Sequence, residues 1–291
     1  MPKKLRTYLE LVRLPGVFTA HADIFAGFLI AGLGVENISS LLWLLGASSC
    51  FFSAGMALND FFDADNDRIE RPERPIPSGR ISRQSAFTLG MVLLVAGMAF
   101  AYTAGSGPFY AALGLAAMIL LYDGVFKSNS IAGPLCMGAC RYFNLLMVLA
   151  LQPFEGWALI PVIPFIYIVG VTVLSRKEVQ GGRAVAHISI CTLALGLASS
   201  WAYLLFLKGV FHSFLGILMI MVLTIFLSSR VLGLLDRHSP KNYQSTMKLL
   251  LMALIALDFI LASTRTPVYF AALILLLYIP AVKSVRLFKV T

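Results

Sequence analysis

Asn59-Asp60-Phe61-Phe62-Asp63-Ala64-Asp65-Asn66-Asp67 is a block of charge at the end of an apolar run, in a chain that is otherwise mostly apolar. With Glu70 and Glu73 it holds six of the 14 acidic residues, and Arg68, Arg71, Arg74, Arg80 and Arg83 are threaded through it or follow closely. Carboxylates crowded together repel one another unless positive charge sits among them. On both sides of this block the sequence turns apolar again, and that contrast sets the fold class.

Of the 291 residues, 59% are hydrophobic and only 13% are charged, with a mean hydropathy of +0.85. Soluble domains are usually about 45–50% apolar. The charges cluster between long apolar runs, as in a polytopic helical membrane protein. A barrel is excluded because its strands would alternate apolar and polar residues. Ten stretches approach the ~20 residues that a span requires: 15–34, 41–60, 85–104, 108–125, 131–151, 157–174, 185–207, 211–231, 246–263 and 267–286. The expectation is an all-α transmembrane bundle of about nine to ten spans in a single domain over 1–291, with no separate soluble domain. Ahead of the first span, Leu5, Tyr8, Leu9 and Val12 share one helical face behind Lys3, Lys4 and Arg6, the pattern of a short interfacial helix.

The net charge of +9 fits membrane topology better than nucleic-acid binding. With a cytoplasmic N-terminus and all ten stretches crossing, every Lys and Arg falls on the cytoplasmic side except Lys208, Arg265 and the intraspan Arg141, as the positive-inside rule requires. The long polar connections, 61–84, 175–184 and 232–245, all lie on that side, which places the chemistry there. The four cysteines, Cys50, Cys136, Cys140 and Cys191, lie in apolar runs and read as packing residues.

Extended as a helix from the second span, the acidic block has a defined face. At about 100° per residue, Asp60, Asp63 and Asp67 fall within about 60° of one another, Asn59 flanks them and Asp65 points away. This is a set of hard oxygen donors suited to Mg²⁺. That ion keeps several waters and takes one or two carboxylates plus phosphate oxygens, so a Mg–diphosphate group is the natural occupant. A calcium-binding EF-hand loop is excluded by Arg68 and Arg74 where glycine and glutamate are required. A solvated loop of alternating charge is the bland alternative, and it does not account for acids at helical spacing. The continuation, Arg71-Pro72-Glu73-Arg74-Pro75-Ile76-Pro77-Ser78-Gly79-Arg80, is a stiff non-helical connector. It holds guanidiniums such as Arg74 near the acids, with Arg68 just ahead of it, close enough to grip phosphate.

Asn59-Asp60-x-x-Asp63-x-x-x-Asp67 followed by this Arg-Pro-x-Arg-Pro-Ile-Pro-Ser-Gly-Arg run resembles the first motif of the UbiA superfamily of membrane prenyltransferases. Arg13-Leu14-Pro15, Tyr122 with Lys127, and Arg141 with Asn144 extend the similarity over most of the first 150 residues. The resemblance implies that Asn59, Asp60, Asp63 and Asp67 hold Mg²⁺, that Lys127 and Arg141 neutralise diphosphate oxygens, and that Tyr122 lies near the cationic allyl carbon. Asn144 goes with Arg141 on the diphosphate side. For Arg141 the competing reading is a structural pair with Asp23 or another buried acid, because an intramembrane ion needs a partner. For Tyr122 it is an interfacial belt position. Asp258, in the ninth span, reads as structural.

The family normally carries a second aspartate cluster after the sixth span. Here that loop reads Ser175-Arg176-Lys177-Glu178-Val179-Gln180-Gly181-Gly182-Arg183. Glu178 is its one acid and a candidate metal ligand to which Gln180 can add an oxygen, while Arg176, Lys177 and Arg183 are candidates to bind phosphate directly. The Ser-Arg-x-Glu-Val-x-Gly-Gly pattern resembles a divergent branch called EboC-like, which implies a bacterial inner membrane. The implied activity is Mg²⁺-dependent prenyl transfer from an isoprenoid diphosphate to a small aromatic or lipid acceptor, aromatic-type by first expectation. The competing function is a non-catalytic or transport-related protein that binds an isoprenoid or aromatic metabolite. Membrane lipids are expected partners and nucleic acid is not.

Overall fold

Every regular element among the described residues is helical. The structure, a computed structural model, describes residues 3–153, 156–176, 184–237 and 239–287. The helices are α1 (Lys3–Leu11), α2 (Leu14–Ile30), α3 (Ile38–Glu70), α4 (Arg83–Ala104), α5 (Ser106–Leu121), α6 (Ala132–Leu149), α7 (Val162–Ser175), α8 (Val185–Leu207), α9 (Phe214–Leu232), α10 (Pro240–Ser263), α11 (Val268–Ala271) and α12 (Tyr278–Leu287). A π-helical turn, Tyr122–Phe126, follows α5, and a 3₁₀ stretch, Ala272–Leu277, joins α11 to α12.

Helical apolar segments occupy all ten stretches expected to span. Among the described residues, seven are long and apolar enough to cross a membrane: α3, α4, α5 with its π turn, α6, α8, α9 and α10. The other three, α2, α7 and the segment from Val268 to Ser284, are shorter. The reasons are local. At 1.5 Å per residue the 14 residues of α7 reach about 21 Å, because the helix begins only after Pro161. The last segment is divided by its 3₁₀ stretch. A helix is present where one was expected at the N-terminus, α1, with Leu5 and Tyr8 exposed and Leu11 fully buried.

α3 has 33 residues, about 50 Å, against a hydrocarbon core of about 30 Å. Its last turns, from about Asn59, therefore reach the polar edge of the bundle, and they carry the acids. The helix ends at Glu70 because prolines 72, 75 and 77 remove successive backbone donors. The connector then folds back as turns, with Ser78 N donating to Arg74 O at 3.0 Å and Ile81 N to Pro75 O at 3.1 Å. Gly79 takes a positive φ of 72° at the reversal. Ile76 and Ile81 of the connector pack with Leu11, Ala57, Ala64 and Ala86 in a small core of their own. Ser82 then caps α4 through Ser85 N at 3.0 Å.

Two larger cores share α2 and α6. Ala22, Ala26, Leu145 and Leu149 face α7, α8 and α10, while Ile24, Phe28, Met147 and Val148 face α3, α4 and α5. α2 and α6 form the partition of the bundle, so a polar group on them is shielded from lipid by helices on both sides. All four cysteines carry free thiols.

Candidate active site

The acid face expected on α3 is present, and each of its carboxylates meets a cation from a different segment. Asp60 accepts from Arg13 Nη2 at 3.1 Å and lies 3.4 Å from Arg74 Nη1. Asp67 accepts from the same Arg74 Nη1 at 2.6 Å. Asp63 pairs with Lys127 Nζ. Asp60, Asp67 and Arg74 are buried, while Asp63 and Lys127 are half-buried. Asp65 points out, 63% exposed, and is held by Arg68 and Arg83. The rotation about the helix axis thus separates the site from the surface one residue at a time.

The three cations are delivered by fold features that the sequence partly announces. Arg74 is brought inward by the proline-rich turns. Lys127 follows the π turn, a local widening of a helix that recurs at functional sites. Arg13 lies between α1 and α2 in the left-handed region, at φ 46° and ψ 54°, a conformation that costs a non-glycine residue roughly 1–2 kcal/mol. Burial pulls its guanidinium below the ordinary value, and the adjoining Asp60 carboxylate opposes that pull.

Asn59 uses its side-chain amide to donate to Asp123 Oδ1 at 3.1 Å. Asp123 is buried in the π turn, and sequence reading passed over it. The available signal was an acid between Tyr122 and Lys127 at the polar end of a span. Tyr122 occupies the first position of that turn and is half-buried.

Other expected site residues have different partners. Arg68 was expected to reach phosphate. It projects 65% exposed from the outer face of α3 and bonds Asp65 at 3.1 Å, because one residue past Asp67 is a rotation of about 100° off the acid face. Arg141 was expected to neutralise diphosphate. Its Nε lies 2.8 Å from Asp23 Oδ2, and its Nη2 lies 3.3 Å from Asp258 Oδ2 and 2.6 Å from Thr19 O. Asn144 goes with it, donating to Asp23 Oδ2 at 2.7 Å and Ala20 O at 3.0 Å while accepting from Ser48 at 2.8 Å. These residues join α2, α3, α6 and α10 inside the bundle, the pairing that an ion between apolar helices requires. His21, two residues from Asp23 and on another face, pairs with Ser49 at 2.7 Å.

Arg176 was expected to bind phosphate. Its guanidinium donates instead to the backbone carbonyls of Lys127 at 3.0 Å, Ser128 at 3.4 Å and Asn129 at 2.6 Å. Lys177, Glu178, Gln180 and Arg183 lie outside the described residues.

Among the described residues, no three or more His, Cys, Asp or Glu side chains converge as a ready-made metal cage. The donors on α3 are hard oxygens, and each carboxylate is already balanced by a cation. That chemistry fits a Mg²⁺ that arrives with a diphosphate and draws much of its shell from phosphate and water. It does not fit a resident ion bound by protein alone. Asp60, Asp63, Asp67 and Asn59 are the residues that would hold such an ion.

Comparison with known proteins gives a consistent result. The model of the UbiA prenyltransferase family matches residues 23–250. A digeranylgeranylglyceryl phosphate synthase from Ignicoccus hospitalis is 33% identical over 183 residues, covering 61% of this chain and 59% of that relative. One from Methanosarcina mazei is 28% identical over 286 residues, covering 88% of this chain and 98% of that protein. A solved structure of a UbiA homolog from Archaeoglobus fulgidus bound to GPP and Mg²⁺ superposes with a TM-score of 0.64 at 14% identity, covering 88% of this chain and 99% of that one. These relatives are archaeal, and the similarity reaches the family without singling out the EboC-like branch.

Proposed function

The chain belongs to the UbiA prenyltransferase family, and on that premise we propose that it is a multi-pass membrane enzyme transferring a prenyl group from an isoprenoid diphosphate. The observation that carries this reading is the acid face of α3, Asp60, Asp63 and Asp67, interleaved with Arg13, Arg74 and Lys127. A mouth of alternating charge is suited to a ligand with both signs, a divalent cation on a diphosphate. The Mg²⁺ reported with GPP in the Archaeoglobus homolog supports Mg²⁺ as the ion here.

The reaction breaks the allylic C–O bond, with its electron pair leaving on the diphosphate, and joins the allylic carbon to an acceptor atom that gives up a proton. When bound, Mg²⁺ supplies Lewis-acid stabilisation of the departing anion. The protein's part is to hold the diphosphate in place. Asp60, Asp63 and Asp67 turn their oxygens to the ligand. Lys127, Arg13 and Arg74 are released from those carboxylates toward phosphate oxygens, where charge builds as the bond breaks. Asn59, held by Asp123, orients the entry to the acid face. Tyr122 presents a ring to the allylic cation.

For the acceptor we favour an alcohol on a prenylated glycerol phosphate, the class that the names of the relatives imply for those proteins. An aromatic-type acceptor is the competing class. We place the site on the cytoplasmic side on the strength of the basic loops, which the positive-inside rule puts there.

The test is purified protein with Mg²⁺ and labelled allylic diphosphates, offered a prenylated glycerol phosphate or an aromatic acid. Diphosphate release coupled to the glycerol lipid is the expected result. Transfer to the aromatic acid alone would reassign the acceptor, and binding without any turnover would leave the non-catalytic reading.

A further inference from the structure

Lys127 is the cation of the site that directly follows the π turn, and the backbone of the turn it begins is fastened from outside. Carbonyls that end a helical turn lack intrahelical donors and take cations or side-chain donors in their place. Arg176, just past the end of α7, donates to three consecutive carbonyls, Lys127, Ser128 and Asn129, the last of which also accepts from Gly133 N at 3.2 Å. A guanidinium offers five donors in a planar fork, which a lysine does not. The other side of the turn is fixed by Asn129, whose Oδ1 accepts from Ile131 N and Ala132 N, each at 2.9 Å, at the start of α6.

Gly133 makes room for this arrangement. A Cβ there would lie 2.7 Å from Arg176 Nη2, 2.8 Å from Phe126 O and 3.2 Å from Lys127 O. Two of those three atoms are backbone, so a side chain at 133 would displace the turn that Arg176 holds.

We propose that Arg176 is a positioning residue for Lys127: it fixes the 127–129 turn so that the Lys127 ammonium meets the Asp63 end of the acid face. The loop after α7 therefore contributes to the site from its first residue, through the backbone of a neighbouring turn. The inference rests on the reading of Lys127 as a diphosphate ligand, and it replaces direct phosphate binding by Arg176.

A double-mutant cycle tests it. The affinity for GPP with Mg²⁺ is measured in wild type, Arg176→Ala, Lys127→Ala and the double variant. Arg176→Ala is expected to weaken binding about tenfold in the wild-type background and to add little once Lys127 is gone, since residues acting through one another are non-additive. Arg176→Lys is expected to restore affinity only in part. Full, additive losses in the double variant would mean that Arg176 binds the ligand itself and would overturn the proposal. Amide hydrogen exchange over 127–133 in the full-length protein gives a second readout that needs no ligand. Arg176→Ala should speed it, and unchanged exchange would overturn the proposal. If wild-type protein binds no diphosphate, the functional reading fails while the exchange data still decide the positioning role.

Discussion

Arg74 spans two turns of α3 with a single nitrogen, 2.6 Å from Asp67 Oδ2 and 3.4 Å from Asp60 Oδ1. All three side chains are buried, so removing the guanidinium strips Asp67 of the cation it pairs with out of water and leaves Asp60 with Arg13. Breaking a buried pair from one side costs roughly 3–5 kcal/mol. Arg74→Ala is therefore expected to lower Tm by many degrees in detergent and to abolish diphosphate binding. Arg74→Lys should recover part of the stability, having one point charge for two acceptors. A variant with wild-type Tm would mean that Arg74 is not the clamp described.

Lys127 and Asp63 are half-buried, so their pair contributes less to stability and is available to a ligand. Lys127→Met is expected to leave the stability within about 1 kcal/mol of wild type while raising KM for the diphosphate tenfold or more. A large loss of stability with unchanged KM would place this pair in the scaffold and not in the site.

Arg141 tests the boundary between site and scaffold. Its partners Asp23 and Asp258 are fully buried, and among the described residues nothing donates a hydrogen bond to Asp23 Oδ1 or Asp258 Oδ1. Arg141→Met would strand two acids between helices, at a cost of roughly 3–5 kcal/mol. The expected phenotype is loss of folded protein at unchanged affinity in whatever folds. Preserved Tm with weakened diphosphate binding would return Arg141 to the diphosphate site.

Arg68 supplies the control. It is exposed and, among the described residues, pairs with the equally exposed Asp65, so Arg68→Ala should change stability by no more than about 0.5 kcal/mol and leave KM as it is. A rise in KM would mean that the outer face of α3 takes part in binding.

The periodic features were legible in the sequence and the long-range pairings were not. The acid face of α3 follows from a rotation of about 100° per residue, and the structure keeps Asp60 and Asp67 in and Asp65 out. The apolar stretches mark the helices because lipid allows little else. Arg13 meeting Asp60 depends on residues 47 apart, and Arg141 meeting Asp258 on residues 117 apart. No local pattern encodes either contact. Arg141 was visible as an ion needing a partner, and which acid it would find depended on the packing of α2, α6 and α10. Asp123 was hidden because a lone acid at the end of a span is common, and only the π turn aims it at Asn59.

Equilibrium binding of GPP to the purified full-length protein, with Mg²⁺ and then with excess EDTA, tests the central claim most directly. The acid face is expected to bind GPP with Mg²⁺, to lose it in EDTA, and to lose it in Asp60→Ala and Asp63→Ala with Mg²⁺ present. Equal affinity in EDTA and in both variants would contradict the assignment of α3 as the diphosphate site.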